Sequence, residues 1–143
     1  MNLLSFFQNL FKPKTSSVNQ KSFPGIVVAK VLNVEKHPNA DRLRVVKLDI
    51  GSKVIEPVVC GAFNFEAGDR VALALPGASI PQNIHSETHE PFTLGKAKIR
   101  GVESQGMICA AFELGLENEP GKGVMILKPN SVLGSQFTSD LVI

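Results

Sequence analysis

From Phe23 onward the chain is written in short apolar or alternating runs. "GIVVAKVLNVEK", "RLRVVKLDI", "VIEPVVCG", "RVALALPG", "FTLGKAKIRG", "GMICAAF" and "GVMILKP" are rich in β-branched residues, and Pro, Gly, Asn and Asp fill the gaps. Runs of this kind predict strands separated by turns. Only "AAFELGLEN" has room for a short helix. Several short strands with so little helix predict an all-β barrel or sandwich. One local pattern favours a barrel. In "RLRVVKLDI", Leu43 and Val45 share a face, and then Val46, Leu48 and Ile50 take over the opposite parity. Regular alternation would expose one of these sets, so a bulge or sharp bend is expected near Val45 and Val46.

The first residues follow another period. In "MNLLSFFQNLFKPK", Leu3, Phe6, Phe7, Leu10 and Phe11 recur at helical spacing until Pro13. The polar stretch "KPKTSSVNQKS" reads as a linker. The expected organisation is an appendage over 1–21 followed by one domain over 22–143. The appendage reads as a docking or self-association helix, or as a helix packed on its own domain. It lacks the basic start and small-residue cleavage site of a secretory signal. Only Lys12 and Lys14 flank it, which disfavours binding to a membrane surface.

A length of 143 residues fits one domain with a real core. The two cysteines, Cys60 and Cys109, lie far apart in apolar runs and read as buried free thiols in a reducing, cytoplasmic setting. No run reaches the roughly 18 apolar residues of a membrane span. The net charge of +2 is small, but it is unevenly spread. Residues 1–60 carry nine Lys or Arg against four acids, and residues 61–143 carry six against nine.

Inside that acidic half stands "LGKAKIRGVESQGM". Read as a strand, it sends Lys96, Lys98 and Arg100 to one face and Gly95, Ala97, Ile99 and Gly101 to the other. The small apolar set suits packing. The cationic set repeats every 6–7 Å or so, a spacing comparable to that of phosphates along a nucleic-acid strand. A solvated face is the alternative reading of such a row. Beyond it, Ser104 offers a hydroxyl and Gln105 an amide, while Met107 suits either a base or a gap in the core. Ser104 alone could equally cap a turn. A second basic stretch, "KHPNADRLRVVK", places Lys36, Arg42, Arg44 and Lys47 around a turn in which Asn39 and Asp41 read as structural.

Taken in order, "HPNADRLRVVKLDIG", "VVCGAFN", "ALPGA", "KAKIRGVESQGMICA" and "ELGL" resemble the tRNA-binding domain near the N-terminus of the bacterial phenylalanyl-tRNA synthetase beta subunit. Free-standing tRNA-binding proteins are similar. The resemblance runs from about Phe23 to the end. It implies an OB-fold, a Greek-key barrel whose central strands and flanking loops form the binding face. It also implies tRNA recognition through shape and phosphate backbone. The family's basic strand falls on Lys96, Lys98 and Arg100, its Ser-x-x-Met signature on Ser104 and Met107, and its Cys-Gly-Ala-x-Asn turn on Cys60 to Asn64. The candidate tRNA-contacting set is therefore Lys96, Lys98, Arg100, Ser104, Gln105, Met107, Arg42, Arg44 and Asn64. Phe63 departs from the proline common in the synthetase form, and the acidic segment "QNIHSETHEPFTLG" is distinctive. An acidic loop beside the cationic row would weaken phosphate binding.

No Walker-type, Gly-x-Ser-x-Gly or His-Glu-x-x-His motif occurs, so no catalytic residue is assigned. His85 and His89 are four apart, but no cysteine pair lies nearby to complete a zinc site, and exposed loop histidines are the simpler reading. No cofactor or metal is expected. The expected partners are tRNA, with an aminoacyl-tRNA synthetase and a second copy of the chain as further possibilities and no membrane. Phe63, Phe65 and Phe92 are the candidates for stacking on bases, each with a core role as its alternative. The competing function is an assembly module of the same fold with little RNA affinity. The acidic 113–119 stretch and the amphipathic start of the chain motivate it.

Overall fold

The computed structural model describes residues 22–121 and 123–143. The expected N-terminal helix and linker lie outside them. A long strand β1 (Ser22–Lys36) organises the rest, pairing antiparallel with β2 (Arg44–Asp49), which pairs with β3 (Val54–Cys60). On its other edge β1 pairs with β4 (Arg70–Ala74). Two further ribbons follow, β5 (Ser79–Ile80) with β6 (Phe92–Thr93), and β7 (Ala97–Ile99) with β8 (Val102–Ser104). Then come β9 (Met107–Ile108) and β10 (Ile126–Leu127), both on β4, and β11 (Gln136–Thr138), which returns to β1. The predicted short helix is a single 3-10 turn at Phe112–Leu114, and a second such turn covers Ser139–Leu141. The architecture is an all-β, OB-like half-barrel: the strand pattern predicts the all-β class, and the resemblance the OB-like form.

The apolar runs explain themselves by position. Residues 26–31 of β1 and most of β4 are covered on both faces, so they need no polar alternation. Val27, Ala29, Val31, Val71 and Leu73 point into the barrel, with Val46, Leu48, Val58 and Phe65 opposite. Ile26, Val28, Ala72 and Ala74 face outward, under Leu114, Met125, Leu127 and Phe137 of the C-terminal third. Each fully buried side chain of this size contributes about 1.5–3 kcal/mol.

The bend expected in β2 is present, and the extra residues sit on its partners. Opposite Lys47, the register with β1 skips Leu32, and the register with β3 shifts at the cis Glu56–Pro57 bond. Two bulged neighbours coil β2 without breaking it, and Val46, Leu48 and Ile50 all stay buried.

The curled sheet is open between β3 and β9, and two hydrogen bonds bridge that seam. The Gln105 N–H donates to Pro57 O at 2.8 Å. The Val59 N–H donates to Ser104 Oγ at 2.9 Å, and that hydroxyl donates onward to Gly106 O at 2.9 Å. Gly106 is required there, because a Cβ would stand 2.8 Å from Ala74 O. Among the described residues no helix is long and apolar enough to cross a membrane.

Candidate nucleic-acid interface

The cationic segment forms a hairpin that stands apart from the main sheet. Its strand is shorter than the sequence suggests, covering Ala97–Ile99. Alternation holds across it. Lys96 and Lys98 are exposed, while Ala97 and Ile99 line an apolar cleft behind the ribbon. Arg100 leaves the row, because it and Gly101 occupy the turn with φ of 53° and 93°. Positive φ at both central residues is the geometry that matches the twist of a hairpin. An arginine in that region costs about 1 kcal/mol relative to glycine.

The turn is clamped from the β1–β2 loop. Asn39 Nδ2 donates to Arg100 O at 3.0 Å, and Arg100 Nη2 reaches Asn39 O at 3.4 Å. His37, buried to 1% exposure, sits 3.0 Å from Ile99 O through Nε2, while Nδ1 accepts the Asn39 N–H at 3.0 Å. With Nδ1 an acceptor, Nε2 carries the proton and donates to Ile99 O. Sequence reading assigned Asn39 a structural role in a turn. It missed His37, whose neighbours in the chain gave no sign of the distant hairpin it holds.

Among the described residues Lys96, Lys98 and Arg100 form no ion pair within 4 Å. One carboxylate does share their face, since Glu103 lies directly across the ribbon from Lys98. The acidic loop is held against the 3-10 turn at Phe112–Leu114. Gln82 Nε2 donates to Phe112 O at 2.7 Å, and the His89 ring meets Phe112 edge-on at 4.9 Å. His85 and His89 thus lie in successive turns, not on a helix.

The second basic stretch is largely consumed by the fold. Lys36 pairs with Asp41 at 3.3 Å and Lys47 with Glu56 at 3.9 Å. Arg44 is wedged between aromatic rings, with its guanidinium carbon 4.7 Å from the Phe63 centroid and 4.5 Å from that of Phe65. Its Nη2 donates to Ala62 O at 3.1 Å and Phe65 O at 2.9 Å. Arg42 alone of this group is exposed without an ion pair within 4 Å or a side-chain hydrogen bond among the described residues.

The remaining candidates divide in the same way. Asn64 forms a reciprocal pair with Val124, donating to its O at 2.9 Å and accepting its N–H at 3.0 Å. Gly123 makes room for that amide, since a Cβ there would come within 2.6 Å of it. Ser104 is committed to the seam. Gln105 is half-buried and bends toward Glu103, and Met107 is half-buried on the cleft wall. Of the aromatics, Phe65 is core, Phe92 lines the cleft, and Phe63 is 54% exposed.

The cleft has a volume of about 550 Å³ and runs between the hairpin, β3, β9 and the 81–95 segment. Glu113 is part of its lining. Burial pushes this carboxyl above its ordinary value, opposed by the Ala110 N–H at 2.8 Å and the nearby His85. Cys60 and Cys109 are free thiols, and burial pushes both pKa values up, that of Cys109 strongly.

Residues 26–136 match the family described as "Putative tRNA binding domain". The chain belongs to this family. Among curated proteins it is 41% identical over 117 residues to the phenylalanine–tRNA ligase beta subunit of Bdellovibrio bacteriovorus, a match covering 82% of this chain and 13% of that one. It is 42% identical over 116 residues to the same subunit of Neisseria meningitidis serogroup A, covering 81% and 14%. The chain thus spans about one seventh of the length of these relatives. A solved structure of the MetRS related protein from Pyrococcus horikoshii shares the fold, with a TM-score of 0.56, 19% identity and 96% of each chain covered. The family resemblance read from the five ordered motifs is therefore shown.

Proposed function

We propose that this chain is a non-catalytic module that binds folded tRNA through its phosphate backbone, with the β7–β8 hairpin as the principal contact. The observation that carries this reading is the pair Lys96 and Lys98, exposed and without an acid within 4 Å among the described residues, on a hairpin clamped at its tip. Family membership and the ligase relatives support tRNA as the ligand. Arg100, Arg42, Gln105 and Met107 lie where they can add contacts. Ser104, Asn64 and Arg44 act one step behind, holding the seam and the loops in place. An aminoacyl-tRNA synthetase is the proposed partner, since the relatives are subunits of one.

A clamped hairpin matters because cations that are already positioned lose little freedom when they bind. If about four phosphates are neutralised, log affinity should fall against log salt with a slope of roughly −3 to −4. The test is a gel shift titrated with salt, comparing folded tRNA, single-stranded RNA and duplex DNA. The Lys96→Ala/Lys98→Ala/Arg100→Ala variant should lose most tRNA retention and flatten the slope by about 2–3, with its fold intact. Unchanged binding by that variant would favour the assembly reading, which the acidic 113–119 stretch and the amphipathic start of the chain motivate.

A further inference from the structure

The cleft behind the hairpin is not used by a backbone-only contact, and its lining is not uniform. Ile84, Phe92, Leu94, Ile99 and Met107 form apolar walls. Asn83, His85 and Glu113 add polar groups to the lining. The loop carrying Asn83 is tied to Glu113 by the Gln82 N–H, which donates to Glu113 O at 3.0 Å. Glu113 is only 7% exposed. Its Oε1 accepts the Ala110 N–H, and its Oε2, which solvent reaches, has no hydrogen-bond partner among the described residues. Asn83 Oδ1 accepts the His85 N–H at 2.9 Å, which leaves the Asn83 amide N–H groups unused among the described residues. An acceptor and a donor are thus both available on the lining of a largely apolar cleft.

Resting on the tRNA-binding reading above, we infer that this cleft takes one unstacked base of the bound RNA, either adenine or cytosine. Both present an exocyclic amino donor beside an unprotonated ring nitrogen. The amino group donates to Glu113 Oε2, and the ring nitrogen accepts from Asn83 Nδ2. The apolar walls enclose the faces of the ring. The same β7 strand that turns Ala97 and Ile99 toward the base turns Lys96 and Lys98 outward, so one strand serves base and phosphate on its two faces. An amphipathic helix from the start of the chain is a poorer occupant. Its apolar face would leave Glu113 and Asn83 without partners, and eleven helical residues are about 16 Å long.

The test uses the full chain with labelled Met and Ile methyl groups, titrated with AMP, CMP and UMP and followed by NMR. AMP and CMP should shift the Met107, Ile84 and Ile99 methyls, and UMP should bind at least severalfold more weakly. Glu113→Gln keeps the Ala110 N–H satisfied through the amide oxygen and turns an NH₂ toward the cleft, so it should weaken AMP and CMP binding and remove their advantage over UMP. Ala97→Phe fills the slot from an exposed position. On folded tRNA it should lower affinity about tenfold, within the range for one stacked base, with the salt slope unchanged. The triple cationic variant should flatten that slope yet keep the AMP shifts.

If no mononucleotide moves these methyls and Ala97→Phe binds tRNA normally, the base site is overturned while the cationic contact stands. If the methyls respond but the cationic variant binds tRNA undiminished, the base site stands and the phosphate contact falls. If removing residues 1–21 alone shifts the same methyls and strengthens AMP binding, the cleft belongs to the chain's own start and the inference is overturned.

Discussion

The β1–β2 region and the β7–β8 hairpin each carry a cluster of cations, and the two clusters have opposite fates. Around β2, Lys36 and Lys47 face carboxylates, and Arg44 lies between two rings with Nη2 on two carbonyls and its buried Nε unpartnered. On the hairpin, Lys96 and Lys98 meet no acid within 4 Å among the described residues. In sequence the first cluster looks the richer of the two. In space Arg44 is built into the fold, and Lys36 and Lys47 stand in exposed pairs that offset their charge. The number of positive residues in a segment therefore says little about the charge offered to a ligand. What decides it is whether the fold supplies partners, and a hairpin outside the main sheet supplies few.

The sharpest way to break this comparison is Arg44→Ala. It removes two charge-assisted hydrogen bonds and the ring contacts, and should destabilise the protein by about 3 kcal/mol in urea unfolding. RNA binding at temperatures where the variant is folded should change little. A stable variant with impaired RNA binding would place Arg44 in the contact surface instead. Ser104→Ala comes next. It strands the buried Val59 N–H at the seam and should cost about 2 kcal/mol, with the RNA salt slope retained. A lowered slope with normal stability would return Ser104 to the ligand.

Lys98→Ala should behave in the opposite sense. Its stability should stay within about 0.5 kcal/mol of the parent. The salt slope for tRNA should lose close to one unit, the equivalent of one phosphate. The smallest effect is expected from Glu103→Gln, which removes the carboxylate facing Lys98. It should strengthen tRNA binding about twofold at low salt and vanish as salt screens the surface. A twofold weakening would show that Glu103 orders Lys98 more than it opposes it.

Much of the fold could be read from the chain, because β1, β4 and their neighbours announce themselves locally. "GIVVAKV" and "RVALALPG" are apolar on both parities since both faces of each strand are covered, and the coiled stretch around Val46 shows as a break in alternation. The cationic ribbon was legible for the same reason, being a local period of two. What could not be read were relations between distant positions. His37 reaches Ile99, Asn64 pairs with Val124, and Ser104 receives Val59. Nothing near Ser104 or Asn64 distinguishes a polar group aimed at a ligand from one that closes a seam. The cleft was hidden more deeply still, because its walls come from five separated segments that look like ordinary core.

Because the β7–β8 ribbon touches the rest of the molecule chiefly through its turn and its inner face, the residues along its outer edge carry almost no obligation to the core. Substitutions at positions 96, 98 and 103 can retune grip on a polyanion, stronger or weaker, while the scaffold beneath stays as it is. A lineage inheriting this arrangement holds a control that selection can turn in small steps, without first having to rescue folding.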